Sequence, residues 1–242
     1  MPIPASKLVY DFYRKLNSAN SGDGQDYKIV DVVSYLNEGL EIWYENRMKV
    51  AESNEKLKND LRQFIVNKHS LSCEVIDCNC CESTLPEDFY KLLSITVKAC
   101  NESCCPNIEK EICLSNPQFD DLESARKTKY WRPDFKWDQM IYKETPNGLI
   151  FYVDDGTVVN SVCLNYYRKP RPIEAASLVN CSNNSYLRWD MTKINYDSDY
   201  EVDQTYSNRK VSDIAVLIAH RDSNDITGFQ TQLQKILQID QL

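Results

Sequence analysis

Glycine and histidine are both scarce in this sequence, and their scarcity argues against several kinds of active site. The chain has six glycines and two histidines among its 242 residues. It contains no glycine-rich loop that could wrap a phosphate group. A nucleophile–histidine–acid triad would have to recruit His69 or His220, and no G-x-S-x-G motif presents a serine to either of them. The sequence therefore predicts a non-enzymatic protein without catalytic, cofactor-binding or metal-binding residues.

Two short patterns match part of a known functional motif but lack its other required residues. His220-Arg221-Asp222 spells the start of a protein-kinase catalytic loop, but the glycine-rich loop and the Asp-Phe-Gly step of kinases are absent. The alternating acidic residues at 197–203 resemble a calcium loop, yet its sixth and twelfth positions hold Val202 and Asn208 instead of Gly and Glu. We interpret the first pattern as part of a helix and the second as an acidic segment facing water.

The chain also lacks long apolar runs and a basic charge balance. No apolar run approaches the length of about 20 residues that crosses a bilayer. Residues 1–6 lack the basic and apolar regions of a signal peptide. The formal net charge is −8, and the densest basic group is the short run at 168–171. We therefore expect a protein that folds in a cytoplasm, has no membrane partner and does not bind nucleic acid in general.

Ten cysteines are present, and the expected compartment decides their interpretation. In a cytoplasm they normally stay reduced and pack as small apolar side chains. Thiolates at short spacing can also bind zinc, so a structural zinc site in the Cys78–Cys105 cluster is the alternative to an absence of cofactors. The cluster consists of Cys78, Cys80, Cys81, Cys100, Cys104 and Cys105, and Cys73 and Cys113 lie outside it in the sequence.

Helical periodicity is strongest near the two ends of the chain. A short helix is predicted at 7–16. Apolar residues then recur at intervals of seven from Ile29 through Leu36 and Trp43, which predicts an amphipathic helix over 28–57. At the C-terminal end Val211, Ala215 and neighbouring apolar residues share one helical face. We expect the long helix to pack against this C-terminal helix.

The middle of the chain has the signals of β-structure. Strand-like runs at 137–142, 149–153 and 158–167 are separated by Asn-Gly and Asp-Gly steps, which favour hairpin turns. A short helix is predicted to begin at 85–88, because proline and two acids suit a first helical turn. The fold class is therefore α+β. Residues 1–62 and 206–242 form a helical body, and residues 63–205 form an inserted, antiparallel β-rich module.

Several segments resemble one family of phage proteins. They are DFYRKLN at 11–17, EGLEIWYENR at 38–47, LPEDFYKLL at 85–93, VCLNYYRKPRPI at 162–173, and the predicted helix at 210–220. Together they resemble the ring, or tail-stub, structural proteins of crAss-like phages. The strand ending in Tyr-Tyr-Arg-x-Pro is also similar to tail tubular protein A, an adaptor family of short-tailed phages. The resemblance does not extend over 186–206.

The resemblance implies a structural role in the virion. It implies a homo-oligomeric ring of about twelve copies in the neck or tail, in contact with the portal protein and with adjacent ring or tail proteins. Genomic DNA would pass through the lumen without specific binding, and the particle would assemble in the host cytoplasm. The alternative function is that of a cytoplasmic phage protein with a zinc-binding cysteine cluster, which regulates or binds one partner.

Overall fold

The chain divides into two compact units, and each has its own architecture. A computed structural model describes residues 3–19, 27–51, 58, 60–77, 79–103, 105–116, 122–128, 130–178, 186–187, 193–194, 199–200 and 205–240. Met1–Gln63 and Pro170–Leu242 form the helical unit, and Phe64–Lys169 forms the β unit. The predicted α+β class is confirmed.

The described residues form the following helices and strands. The helices are α1 (Ala5–Ala19), α2 (Ile29–Ala51), α3 (Leu122–Lys127), α4 (Thr205–Asp222) and α5 (Ile226–Asp240). The strands are β1 (Ile3–Pro4), β2 (Ile65–Leu71), β3 (Glu74–Asp77), β4 (Cys80–Thr84), β5 (Phe89–Asn101), β6 (Cys105–Ser115), β7 (Gln139–Glu144), β8 (Gly148–Tyr152), β9 (Thr157–Arg168), β10 (Tyr186–Leu187), β11 (Lys193–Ile194) and β12 (Asp199–Tyr200). Within this described part, no helix has the length and apolar composition that a membrane crossing requires.

In the helical unit, α2 packs against α4 as the spacing of its apolar residues predicts. Leu36, Leu40 and Trp43 are buried, whereas Ile29 is only half-buried. The two helices approach closely at Gly39, where an added Cβ would lie 2.9 Å from the carbonyl oxygen of Val211. Residues 52–57, which the sequence assigns to the same helix, lie outside the described residues.

The boundary between α4 and α5 is set by one aspartate. Asp225 accepts a hydrogen bond from the backbone N–H of Gly228 at 2.9 Å, which caps the start of α5. Its other carboxylate oxygen lies 2.9 Å from Nδ1 of the buried His220. Asn224, just before this cap, has a left-handed backbone conformation with φ 56°. His220 therefore belongs to the end of a helix, as the sequence predicts for the kinase-like triplet.

The β unit ends at Lys169, whereas the sequence predicts its end at residue 205. Proline cannot donate to a β-ladder, so Pro170 and Pro172 end the long strand β9. Immediately afterwards the backbone of Ile173 exchanges two hydrogen bonds with the Asn37 side chain of α2, at 2.7 and 3.0 Å. The segment from Pro170 onward therefore belongs to the helical unit.

The β unit contains an eight-stranded sheet in the order β2-β9-β5-β6-β7-β8-β4-β3. Neighbouring strands are antiparallel except for β6 and β7, which run parallel. A parallel pair needs a long crossover, and here residues 116–138 supply it. The predicted hairpin at 146–148 is present, because β7 and β8 pair on either side of it. The Asp-Gly step also forms a turn, with Gly156 at φ +76°, but the predicted second hairpin is wrong, because β8 pairs with β7 and β4 while β9 pairs with β2 and β5. The predicted helix at 85–88 is wrong: these residues form a turn that leads into β5.

The sheet curls around one apolar core. β2 and β3 follow each other along the chain but lie at opposite ends of the strand order. Side chains from both ends nevertheless share a core cluster, with Leu71 from β2 and Cys81 from β4. The same core receives Phe135 from the crossover between β6 and β7.

Candidate interaction surfaces

The cysteines are arranged differently from the expectation. Cys73 and Cys81 form a disulfide that joins the start of β3 to β4, so the prediction that these two are reduced is wrong. Cys78 and Cys81 have Cys-x-x-Cys spacing, but a disulfide sulfur is not a thiolate ligand. Among the described residues, no group of three histidine, cysteine or acidic side chains is placed to hold a metal ion. Cys78 and Cys104 lie outside those residues.

The segment at 197–203 that resembles a calcium loop lies mostly outside the described residues. Asp197, Glu201 and Asp203 are not described, and Asp199 lies in the short strand β12, which pairs with β1. The predicted solvated acidic segment therefore stays a prediction.

The Tyr-Tyr-Arg segment of β9 contacts a distant part of the β unit, and we call such a contact between distant chain segments a joint. The Tyr166 hydroxyl donates to the Asp88 carboxylate at 2.8 Å, and the N–H of Lys169 donates to the Asp88 carbonyl at 2.7 Å. Burial, followed by the hydrogen bond and the negative charge of Asp88, raises the pKa of Tyr166 to about 12. The guanidinium of Arg168 lies 5.7 Å from the ring centroid of Phe64. These contacts fix the end of β9 against the turn before β5.

A partly buried ion pair forms the corresponding joint of the helical unit. Lys15 Nζ of α1 lies 2.8 Å from the Asp213 carboxylate of α4, and Gln232 of α5 donates to the same carboxylate oxygen at 3.0 Å. Burial lowers the pKa of Lys15, and the Asp213 carboxylate offsets part of that shift. One carboxylate thus connects three helices.

An apolar groove lies between α2, α4 and α5 in the helical unit. Its volume is about 580 Å³, within the range of ligand pockets in general. Its basic residues are already engaged: Arg221 pairs with Glu38 at 3.3 Å, and Arg47 lies 3.9 Å from Asp60. The apolar lining consists of Ile42, Trp43, Val50, Ile214, Leu217, Ile218, Phe229 and Leu233.

A second candidate surface was missed by the sequence interpretation. Residues 126–137, here called the aromatic–basic segment, contain five basic residues and one acidic residue in an otherwise acidic chain. Tyr130, Trp131 and Trp137 are 78, 64 and 70% exposed. The strand predicted at 137–142 begins later, at Gln139, because Trp137 lies in a 3₁₀ turn before β7. The available signal was the interleaving of basic and aromatic residues, which a search for uninterrupted basic runs overlooks.

The backbone of this segment is held firmly although its aromatic side chains face outward. Phe135 is buried in the core, and its N–H donates to the Asp154 carboxylate at 3.1 Å. The Asp134 carboxylate accepts from the N–H groups of Lys136 and Trp137 at 2.9 and 3.3 Å. At the other end of the segment, Arg126 lies over the Tyr152 ring at 4.7 Å. The exposed rings are therefore displayed from an ordered scaffold.

A small pocket lies beside edge strand β3 in the same unit. Its volume is about 170 Å³. Val75 and Ile76 of β3 are 76 and 57% exposed, which is unusual for apolar side chains on an edge strand. The register places Glu74 directly opposite Glu82 of β4. The apolar and sulfur part of the pocket lining is Cys73, Cys80, Cys81, Val75, Val153, Val158 and Val159.

Comparison with known proteins does not identify a family. No protein-family model matches the chain, and no curated protein matches it in sequence. Function is therefore inferred from the placement of the residues and from the short segments that carry the resemblance.

Proposed function

We propose that the chain is a structural subunit of an oligomeric ring in the neck or tail of a tailed phage. The proposal rests on the positions of the segments that resemble the phage proteins. These segments are far apart in the sequence, but within each unit of the structure they contact one another and form its joints. A resemblance confined to such joints favours a shared scaffold over a shared active site.

In the helical unit, the joint connects the first two segments with the last one. Lys15 from 11–17 pairs with Asp213 from 210–220. Gly39 from 38–47 is the point where α2 approaches the backbone of α4.

In the β unit, the joint connects the remaining two segments. Asp88 from 85–93 accepts from the Tyr166 hydroxyl and from the Lys169 N–H of 162–173. A scaffold of this kind suits a subunit whose task is to hold its shape in an assembly.

The proposed partners follow from the ring. Copies of the chain contact each other laterally, and the ring contacts the portal protein and adjacent ring or tail proteins. Genomic DNA passes through the lumen without specific binding. The net charge of −8 supports this, since an acidic protein repels the phosphate backbone.

Purified phage particles provide the direct test. Mass spectrometry of density-purified virions is expected to detect the chain in a fixed ratio to the portal protein. Cross-linking in intact particles should connect it to the portal or to a tail protein. A chain found only in the lysate supernatant contradicts the proposal.

Deletion of the gene gives a second, independent readout. Particles without the protein are expected to package DNA but leak it, or to lack tails, and the gene supplied in trans should restore them. Normal infectious particles after deletion would contradict a structural role in the neck.

Metal analysis separates this proposal from the zinc-binding alternative. A ring subunit requires no metal. One equivalent of zinc per chain, lost on replacement of Cys78, Cys80, Cys104 and Cys105 by serine, would instead favour the regulator.

A further inference from the structure

Edge strand β3 adds little buried surface to the β unit. All four of its residues are exposed, so burial of its own side chains stabilises its position only weakly. Among the described strands it pairs with β4 alone, through three residue pairs whose register is irregular. One of these pairs sets Glu74 directly opposite Glu82, and like charges in that position are destabilising. The disulfide from Cys73 to Cys81 is therefore an important part of what holds β3 on the sheet.

One face of β3 borders the apolar core of the unit. Cys81 belongs to the core cluster and is 5% exposed. Val75 lies directly opposite Cys81, so its side chain is on the same face of the sheet. The pocket of about 170 Å³ lies on this face and is also lined by Val158 and Val159 of β9. Detachment of β3 would therefore open the pocket and expose the Cys81 side of the core to water.

The disulfide is accessible to a small molecule, and its loss need not unfold the sheet. Cys73 is only half-buried, and both bonded cysteines line the pocket. Thiol–disulfide exchange begins with attack of a thiolate on one accessible sulfur of the bond. Small thiols are abundant in a cytoplasm, where the chain is expected to fold. Because β3 is the last strand in the order, its release leaves the pairing of the other seven strands intact.

We propose that the Cys73–Cys81 disulfide is a redox latch on β3. When the bond is closed, β3 stays on β4 and covers this side of the core. When small thiols reduce the bond, β3 detaches and the pocket opens. The inference goes beyond the proposed function, because it concerns the purified chain and holds whether or not the chain belongs to a phage neck.

The reaction needs a small-molecule thiol of the glutathione class as reductant. Its thiolate attacks the Cys73 sulfur, the bond to Cys81 breaks, and the electron pair leaves on the Cys81 sulfur, which takes up a proton. A second thiolate then attacks the small molecule's sulfur in the mixed disulfide, and Cys73 leaves as a thiolate that is protonated in turn. Two small thiols are thus oxidised to one disulfide, while the protein disulfide is reduced to two thiols.

A redox titration of the full chain tests whether the bond is reversible. The protein is equilibrated with mixtures of reduced and oxidised glutathione, and its free thiols are alkylated and identified by peptide mapping. The bond is expected to pass from mostly closed to mostly open across these mixtures. Cys113→Ser removes a free, exposed cysteine and should titrate as the wild type does. A bond that stays closed in a large excess of reduced glutathione overturns the proposal.

Hydrogen exchange measured by mass spectrometry tests the release of β3. After reduction the backbone amides of β3 should exchange at least about tenfold faster, whereas those of β5 and β9 should keep their protection. Cys73→Ser should show the same fast exchange of β3 without reductant, which excludes an effect of the reductant on other cysteines. Equal protection of β3 in the two states overturns the latch. So does faster exchange throughout β5 and β9, because the bond would then hold the whole core.

The alkylation rate of Cys81 tests the opening of the pocket. In the reduced protein a short pulse of iodoacetamide should modify Cys81 within about tenfold of the rate of the exposed Cys113, each rate being divided by that of the same cysteine in urea. A slower reaction of Cys81 would show that β3 still covers it, and this result overturns the proposal.

Discussion

Tyr166 is a residue whose acid–base chemistry is altered strongly by the fold. Its buried hydroxyl donates to the Asp88 carboxylate, and its pKa is raised to about 12. In the unfolded chain a tyrosine has a pKa near 10. The folded state therefore holds more protons between these two values, and its stability is full below about pH 10 and falls as the pH rises toward 12.

Tyr166→Phe should change stability in two ways. At neutral pH it removes a hydrogen bond and leaves the Asp88 oxygen without that donor, for a loss of about 1–3 kcal/mol. Above pH 10 it removes a pH dependence of up to roughly 1.4 kcal/mol per pH unit. Urea unfolding of the full chain at several alkaline pH values measures both, with the exposed Tyr130→Phe as control. Identical pH profiles for Tyr166→Phe and the wild type would contradict the assignment.

Trp43 tests the core of the helical unit. Its side chain is buried between α2 and α4, so Trp43→Ala should lower the free energy of unfolding by about 3–5 kcal/mol. Tyr10→Ala, at an exposed position of α1, should change it by less than about 0.5 kcal/mol. A loss under about 1 kcal/mol for Trp43→Ala would place the indole outside the core.

Among the elements, the contact of α2 with α4 depends on the absence of a side chain at Gly39. A Cβ at this position would lie 2.9 Å from Val211 O and 3.1 Å from Ala215 N. Gly39→Val should therefore destabilise the protein by about 1–3 kcal/mol, although valine is the better helix former. Glu45→Val, at an exposed position of the same helix, serves as control. Unfolding midpoints in urea show whether Gly39→Val lowers or raises the stability of the protein. A stabilised variant would contradict the close approach of the two helices.

The disulfide joins edge strand β3 to the rest of the sheet. Closing the short loop from Cys73 to Cys81 should stabilise the protein by about 2–3 kcal/mol. Cys73→Ser should lose this amount without reductant, and the difference should vanish with reductant. Cys113→Ser changes a free, exposed cysteine and is the matched control. Alkylation of Cys73 and Cys81 before reduction, detected by peptide mapping, would show that the bond does not form.

For the whole molecule, the prediction concerns the assembly. We expect a closed ring of about twelve copies whose lateral contacts bury well over 2,000 Å² per subunit, as permanent assemblies do. Native mass spectrometry of rings released from particles measures the copy number. Release of single chains under mild conditions would contradict a permanent ring.

The sequence was sufficient for the features that depend on local periodicity. Helices α1, α2 and α4, the hairpin turn between β7 and β8 and the α+β class follow from apolar spacing and turn residues near each other in the chain. The packing of α2 on α4 was also predictable, because both helices have one continuous apolar face.

Features that depend on distant residues emerged only in the folded chain. Residues 85–88 have the local signature of a helix start, but Asp88 contacts Tyr166 and Lys169, and the following residues pair along β9. The crossover between β6 and β7 exposes Trp131 and Trp137, which composition alone would assign to a core. Local propensity sets the free energy of a short segment, whereas strand pairing and burial are set by residues far away in the sequence, so only the tertiary structure could decide them.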